Sequence, residues 1–285
     1  MNHPAELKVH QYMSDAVNGK STMSEEVIDQ VGNDVKDALR KQFGGGNQRG
    51  DFKLRMSNLG RPTCQLWFEK NKPELASPKP NNFMMNMMLG DIVEAVFKGL
   101  LKGAGVKYEE PEHVSLEVDG TKISGTYDLV VDGAVDDVKS ASGWSYDNKF
   151  VNYETLREGD AFGYVSQLIG YAKAAKKKIG GWWVVNKANG KFKYVSASHA
   201  NEREEMTRIR ATVETVKHNE FARCFEDSEE TWRSKPTGNR RLGISCGFCD
   251  YKHACWENLK ELPSVMSKAK VPPIVYYTKL KEEYA

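Results

Sequence analysis

The sequence predicts an α/β fold, a central mixed sheet flanked by helices, with a helical N-terminal segment before it and a cysteine-bearing region after it. Three observations predict this. Apolar residues recur at helical spacing up to about residue 101, alternate between 114 and 140, then return to helical and alternating patterns further on. Asp132-Gly133 stands between two apolar runs, the pattern of a two-residue hairpin turn. A chain of 285 residues, 40% hydrophobic and 28% charged, is long enough and mixed enough to bury such a core.

The elements follow in order. Residues 1–43 read as helical, with Ser24 as an N-cap and Val27, Val31, Val35 and Ala38 on one face. Gly44 to Gly50 reads as a flexible break, which divides a segment 1–50 from a domain over 51–258 and a tail over 259–285. Residues 54–70 open the domain and carry Cys64, and Pro73, Pro78 and Pro80 mark a loop. A long apolar helix over 84–101 stops at Gly103 and Gly105. Strands at 114–118, 123–131 and 134–140 form a meander. A loop rich in Gly, Ser, Trp and Tyr leads to a helix over 160–178. Strands at 182–186 and 192–197 and a polar helix over 200–225 complete the pattern, and from Lys235 the chain reads as irregular.

Composition narrows the class. A net charge of +2 produces no strong polyelectrolyte field, so contact with nucleic acid falls to local patches such as Lys173, Lys176, Lys177 and Lys178. No run of about 18 apolar residues reads as a membrane span. Residues 1–20 lack an apolar signal core, so the expected location is cytoplasmic. Five cysteines, Cys64, Cys224, Cys246, Cys249 and Cys255, form an odd count that argues against a disulfide framework and for metal.

The segment 125–142 carries the chemistry. If Asp132-Gly133 is the turn, Val131 faces Ala134, Val130 faces Val135, Leu129 faces Asp136, and Asp128 faces Asp137. Two carboxylates opposite each other, with β-carbons about 5 Å apart, repel one another, and a shared divalent cation removes that penalty. Alternation puts Lys139 on the face of Asp137 and turns Val138 toward a core. A lysine beside such an ion orients an attacking water or stabilises charge on a phosphate, which suits phosphodiester hydrolysis. An exposed hairpin with surface ion pairs is the plain alternative.

Gly125-x-x-Asp128 followed by Asp137-Val-Lys139-Ser resembles motifs II and III of the PD-(D/E)xK nucleases. Gly90 to Glu94 resembles the G-x-x-x-E/H motif of the RecB-like branch, and Gln167 to Tyr171 its Q-x-x-x-Y motif, with both side chains on one helical face. The resemblance covers about residues 54–258 and implies a restriction-endonuclease-like sheet. It implies Glu94, Asp128, Asp137 and the Val138 carbonyl as ligands of Mg²⁺ or Mn²⁺, Lys139 serving the attacking water, and Gln167 and Tyr171 near the metal and the DNA. Asp91 stands where many relatives differ, and Asp137 replaces the commoner Glu.

Cys246-Gly-Phe-Cys249 followed after five residues by Cys255 is a metal-ligand cluster lacking one member, and Cys64 is the natural fourth. This order is similar to that of AddB-type and CRISPR-associated RecB-like exonucleases, which implies a structural [4Fe–4S] cluster. A four-cysteine Zn²⁺ site is the alternative, since thiolates suit both metals. Cys224 reads as a free thiol. His253, inside the cluster loop, reads as exposed, with a substitute ligand as the other reading. Trp144, Tyr146, Lys149 and Phe150 read either as a platform for unpaired bases or as a loop anchored to the domain. Arg240 and Arg241 read as phosphate contacts or a solvated turn, and Trp182 and Trp183 as core. The resemblance implies an exonuclease acting on DNA ends in recombination, repair or viral DNA processing, with DNA and recombination or single-strand-binding proteins as partners. A non-catalytic DNA-binding module, a flap endonuclease and a zinc-bearing interaction protein are the alternatives.

Overall fold

Ser24 caps a helix where its position predicts: its Oγ accepts the Val27 N–H at 3.4 Å. A computed structural model describes residues 3–44 and 50–282, so residues 45–49 of the expected flexible break lie outside the described residues. The chain forms two compact units, Met1–Gly60 with Pro80–Val213, and Arg61–Lys79 with Glu214–Ala285.

The first unit starts with helices α1 (Pro4–Val17) and α2 (Glu25–Phe43); α3 (Thr63–Asn71) belongs to the second unit, and α4 (Phe83–Gly103) returns to the first. A five-stranded sheet follows, ordered β1 (Tyr108–Glu109), β4 (Leu129–Val131), β5 (Ala134–Ala141), β6 (Lys178–Asn186), β7 (Phe192–Ser196). β5 and β6 are parallel and the other neighbours antiparallel. Parallel strands need a crossover, and here it carries α5 (Gly143–Asn148), α6 (Tyr153–Glu158) and α7 (Tyr164–Ala175). The expected meander is corrected. The run 123–131 breaks at Tyr127-Asp128 into β3 (Thr121–Thr126), which pairs with β2 (His113–Val118) as a separate two-stranded sheet, and β4 in the main sheet. The expected loop after β5 holds two short helices.

One face of the main sheet is buried by α1 and α4: Ala5, Val9, Phe97 and Leu101 pack with Leu129, Val131, Val138 and Trp183. Burying each large apolar side chain contributes about 1.5–3 kcal/mol. Asp136 shares that face and is 1% exposed. Its carboxylate accepts the Gly181 N–H at 2.8 Å, the Tyr194 hydroxyl at 2.8 Å and the Trp183 indole N–H at 3.0 Å. Space for it comes from Gly180, where a Cβ would lie 2.0 Å from Asp136 Oδ1, at an irregularity in the β5–β6 ladder. Burial pushes the Asp136 carboxyl up to about 7 against the pull of its three donors.

In the second unit, the tail expected to be irregular forms an antiparallel four-stranded sheet ordered β10 (Lys260–Pro263), β11 (Ile274–Lys279), β9 (Lys235–Arg241), β8 (Ser228–Trp232). Buried Glu230 accepts bonds from Asn239 Nδ2 at 2.9 Å and the Tyr277 hydroxyl at 3.1 Å, which ties β8, β9 and β11 together. Phe68 of α3 stacks on Tyr251 at 5.2 Å, and both are buried. The polar helix α8 (Glu202–His218) stops at Asn219, whose φ of 60° ends it earlier than expected. Short helices α9 (Ile244–Gly247) and α10 (Lys252–Cys255) carry Cys246 and Cys255, and Cys249 lies in the turn between them.

Candidate active site and cysteine pocket

Asp132 and Gly133 have φ of 50° and 76°, the left-handed pair that a tight hairpin turn requires. The register follows: Val131 pairs with Ala134, Val130 with Val135 and Leu129 with Asp136. Asp128, one residue before β4, therefore arrives beside Asp137, and its Oδ2 accepts the Val138 N–H at 2.8 Å. Asp137 is buried, and Lys139 Nζ donates to its Oδ1 at 2.7 Å. Asp137 Oδ2 lies 2.5 Å from the same ammonium but at an angle that makes no hydrogen bond among the described residues. Asp128, Asp137 and Lys139 share one side of the hairpin, as the turn register predicts, and Asp136 and Val138 share the other.

The electrostatics follow from this crowding. Burial, then Asp137, pushes Asp128 up to about 6. Burial also raises Asp137, with Glu94 adding to it and Lys139 opposing it. Burial works against the charge of Lys139, but Asp137 and Asp128 overcome it and raise the lysine. Glu94, on α4, is raised by burial and then by Asp128, while its Oε1 lies 2.5 Å from Lys98 Nζ one turn along. Tyr171 is buried on α7, accepts a hydrogen bond from or gives one to Gln167, and is pushed up to about 12, mainly by burial. Gly125 leaves room for it: a Cβ there would lie 2.8 Å from the Tyr171 hydroxyl. Asp128, Asp137 and Lys139 all act on Tyr171, so the two helical motifs and the hairpin meet at one place.

Among the described residues, no three His, Cys, Asp or Glu side chains converge closely enough to form a ready-made cation cage. Each acid is held by a local donor: Glu94 by Lys98, Asp128 by the Val138 amide, Asp137 by Lys139. Lys98 was not anticipated, although its i,i+4 spacing from Glu94 signals the pair. Tyr164 was also missed. It lies three residues before Gln167 on the same helical face, and Lys139 Nζ sits 5.0 Å from its ring.

Other expected contacts divide. Trp144 is 66% exposed on α5, whereas Phe150 is buried, so the platform reading fails for Phe150. Tyr146 is covered by Lys193, whose Nζ lies 4.1 Å from its ring. Lys173 pairs with Glu202 at 2.6 Å and Lys177 with Glu109 at 2.9 Å, which neutralises half of the expected lysine patch. Asp91 binds Lys41 at 2.9 Å and Gln42 at 2.8 Å and so joins α4 to α2. Arg240 donates to Asp227 through Nε at 2.9 Å and through Nη2, so its guanidinium is already engaged by a carboxylate, while Arg241 is exposed. Trp182 and Trp183 are fully buried.

In the second unit, Cys64, Cys246, Cys249 and Cys255 line one pocket together with Arg223, Lys252, Phe68 and Trp256. Burial raises Cys249 to about 11 and also raises Cys246. Cys224 is a free thiol, as expected, and it makes contacts that its spacing did not signal. Its Sγ accepts the Cys64 N–H at 3.1 Å and lies 3.3 Å from Thr63 Oγ1. Its bond with Cys64 lowers Cys224 and raises Cys64. His253 is exposed beside Glu261, 3.5 Å away, as expected.

A family model described as the PD-(D/E)XK nuclease superfamily matches residues 10–256. The chain is similar to the solved structure of SSO0001 at 15% identity, over 78% of this chain and 93% of that one, with a TM-score of 0.46. No curated protein matches the chain. Among the described residues, no helix is long and apolar enough to cross a membrane.

Proposed function

The chain belongs to the PD-(D/E)XK nuclease superfamily, a family of metal-dependent nucleases, and we propose that it is a RecB-like deoxyribonuclease acting as an exonuclease on DNA ends. The observation that carries this reading is the juxtaposition of half-buried Asp128, buried Asp137 and half-buried Lys139 on one side of the hairpin. A hard divalent cation, with its preference for carboxylate oxygen, would relieve the crowding of the acids that, after burial, raises Asp128 and Asp137.

Asp128, Asp137, Glu94 and the Val138 carbonyl are the proposed ligands of Mg²⁺ or Mn²⁺. When bound, such an ion supplies Lewis-acid polarisation and neutralises charge on the scissile phosphate. Glu94, which is paired with Lys98, would be the third carboxylate of that set. Lys139, fixed between Asp137 and Tyr164, holds the attacking water or donates to a phosphate oxygen as negative charge develops. Tyr171 and Gln167 orient the strand. Recombination, repair or viral DNA processing is the proposed setting, with recombination or single-strand-binding proteins as partners.

For the second unit we propose a structural [4Fe–4S] cluster on Cys64, Cys246, Cys249 and Cys255. Four thiols line one pocket with the cations Arg223 and Lys252, which would offset thiolate charge, although no three of the thiols converge into a ready-made site among the described residues. A Zn²⁺ centre would use the same four thiolates, but iron–sulfur protein is brown with broad absorbance and zinc protein is colourless.

The nuclease reading is tested with end-labelled linear, flapped and circular DNA in Mg²⁺ or Mn²⁺. Wild type releases nucleotides from linear ends and leaves circles intact. Lys139→Ala binds DNA and cuts at least about 100-fold more slowly. Undiminished cutting by Lys139→Ala would falsify the placement of the chemistry, and cutting of circles or flaps would favour an endonuclease.

A further inference from the structure

Cys224 lies outside the four cysteines assigned to the metal, yet it faces one of them. Its Sγ accepts the Cys64 N–H at 3.1 Å, lies 3.3 Å from Thr63 Oγ1, and is hydrogen bonded to the Cys64 side chain. Helix α3 starts after Pro62, whose side chain caps none of its N–H groups, and the Cys224 sulfur takes that place. A sulfur this close to the backbone nitrogen of Cys64 lies within reach of the Cys64 sulfur by rotation about χ1, so a disulfide between the two needs little backbone movement.

The two backbone segments are already aligned. The side chains of Asn71 and Asn219 exchange hydrogen bonds at 2.8 and 3.0 Å, and the Trp67 indole N–H donates to the Asn219 carbonyl at 3.0 Å. The Phe221 ring lies 5.0 Å from that of Trp67. Residues 219–224 are thereby clamped along α3, which holds one thiol at high effective concentration against the other. Cys224 is exposed and Cys64 half-buried, so a reagent from solvent reaches Cys224 first.

We propose that Cys64 and Cys224 form a reversible disulfide when no metal holds Cys64, with a low-molecular-weight disulfide as the oxidant. Cys224, deprotonated, attacks one sulfur of the small disulfide. That S–S bond breaks, a mixed disulfide forms on Cys224, and one small thiolate leaves and takes up the proton that Cys224 gave. Cys64 attacks the Cys224 sulfur in the same way, and the second small thiolate leaves with the Cys64 proton. The protein thiols lose two electrons and two protons, and the small disulfide becomes two thiols. The consequence for the metal rests on the four-thiolate reading of the pocket: Cys64 cannot serve metal and disulfide at once, so oxidation blocks loading and a bound metal blocks oxidation.

The test takes the full chain, stripped of metal with a chelator and reduced, and incubates it with oxidised glutathione. Free thiols should fall from five to three, and mass spectrometry of the non-reduced digest should find a peptide joining Cys64 to Cys224, which dithiothreitol separates. The same oxidation in urea should give a mixture of pairings, because the clamp is gone. Cys224→Ser, which keeps an acceptor for the Cys64 N–H, should keep its four remaining thiols. A glutathione adduct that stays on Cys224, a native-state link between any other pair, or five unchanged thiols overturns the proposal. Metal uptake, followed with Zn²⁺ and a chromogenic indicator, separates the two readings. Oxidised wild type should hold Zn²⁺ at least about 10-fold more weakly than the reduced chain, and dithiothreitol should restore the affinity. A Cys64–Cys224 link that leaves Zn²⁺ affinity unchanged removes Cys64 from the metal and spares the disulfide. Tight Zn²⁺ in the reduced chain, with no link on oxidation, defeats the disulfide alone.

Discussion

Replacing Asp136 by Asn makes the stability of the first unit respond differently to pH. Asp136 titrates near 7 in the folded chain against 3.8 ordinarily. The unfolded chain therefore releases this proton near pH 3.8, and the folded chain holds it until near pH 7. Between those values the folded state binds more protons, so its stability falls as pH rises and levels off above 7. At about 1.36 kcal/mol for each factor of ten in the proton equilibrium, the full swing is about 4 kcal/mol. Asn carries no such proton. Its amide oxygen keeps the bonds from Gly181 and Tyr194, while its NH₂ faces the Trp183 N–H, a mismatch worth about 1–3 kcal/mol. Wild type should therefore exceed Asp136→Asn in stability near pH 4, and the gap should shrink by about 4 kcal/mol and close or reverse by about pH 8. Urea unfolding of both proteins across that range, without added metal, measures the gap. A gap that stays constant or widens with pH would show that the Asp136 proton is not held by burial.

Other outcomes follow from the same geometry. Because Asp128 is pushed to about 6, it is protonated below that value and charged above it, so cleavage at low Mg²⁺ should rise with pH through about 6. Adding Mg²⁺ should move that midpoint downward, and a pH profile that ignores Mg²⁺ would remove Asp128 from the metal site. Gly163→Ala should cost roughly 2 kcal/mol or more, because a Cβ there meets Gly60 and φ is positive; an unchanged Tm would contradict it. Cys246→Ala should lose iron and the absorbance near 400 nm, and should expose α3 and the tail to protease, because the metal helps fold the unit. If purified wild type is colourless and contains zinc, the iron–sulfur assignment falls and the four-thiolate site stands.

What could be read from the sequence was local or tied to one short turn. Asp132-Gly133 fixed a register, and that register alone placed Asp128 beside Asp137 and Lys139. Ser24 announced its helix, and the 167–171 spacing put Gln167 and Tyr171 on one face. The strands of the second unit were not legible. Residues 228–232 and 235–241 are mostly charged or polar, because their sheet buries only a few positions, including Glu230 and Asn239, which satisfy each other. Period-two hydrophobicity cannot reveal a strand whose buried residues are polar.

The sequence by itself determined the hairpin, its acids and lysine, the order of the helices around the sheet, and which three cysteines lie together, because each depends on residues a few positions apart. Only the tertiary structure decided what those groups meet. It set Asp136 against Tyr194, 58 residues away. It brought Cys224 against Cys64 across 160 residues and placed Tyr164 under the lysine of the hairpin. Such pairings are fixed by packing of distant elements, whose free energy is shared over the whole core and leaves no periodic trace in the chain.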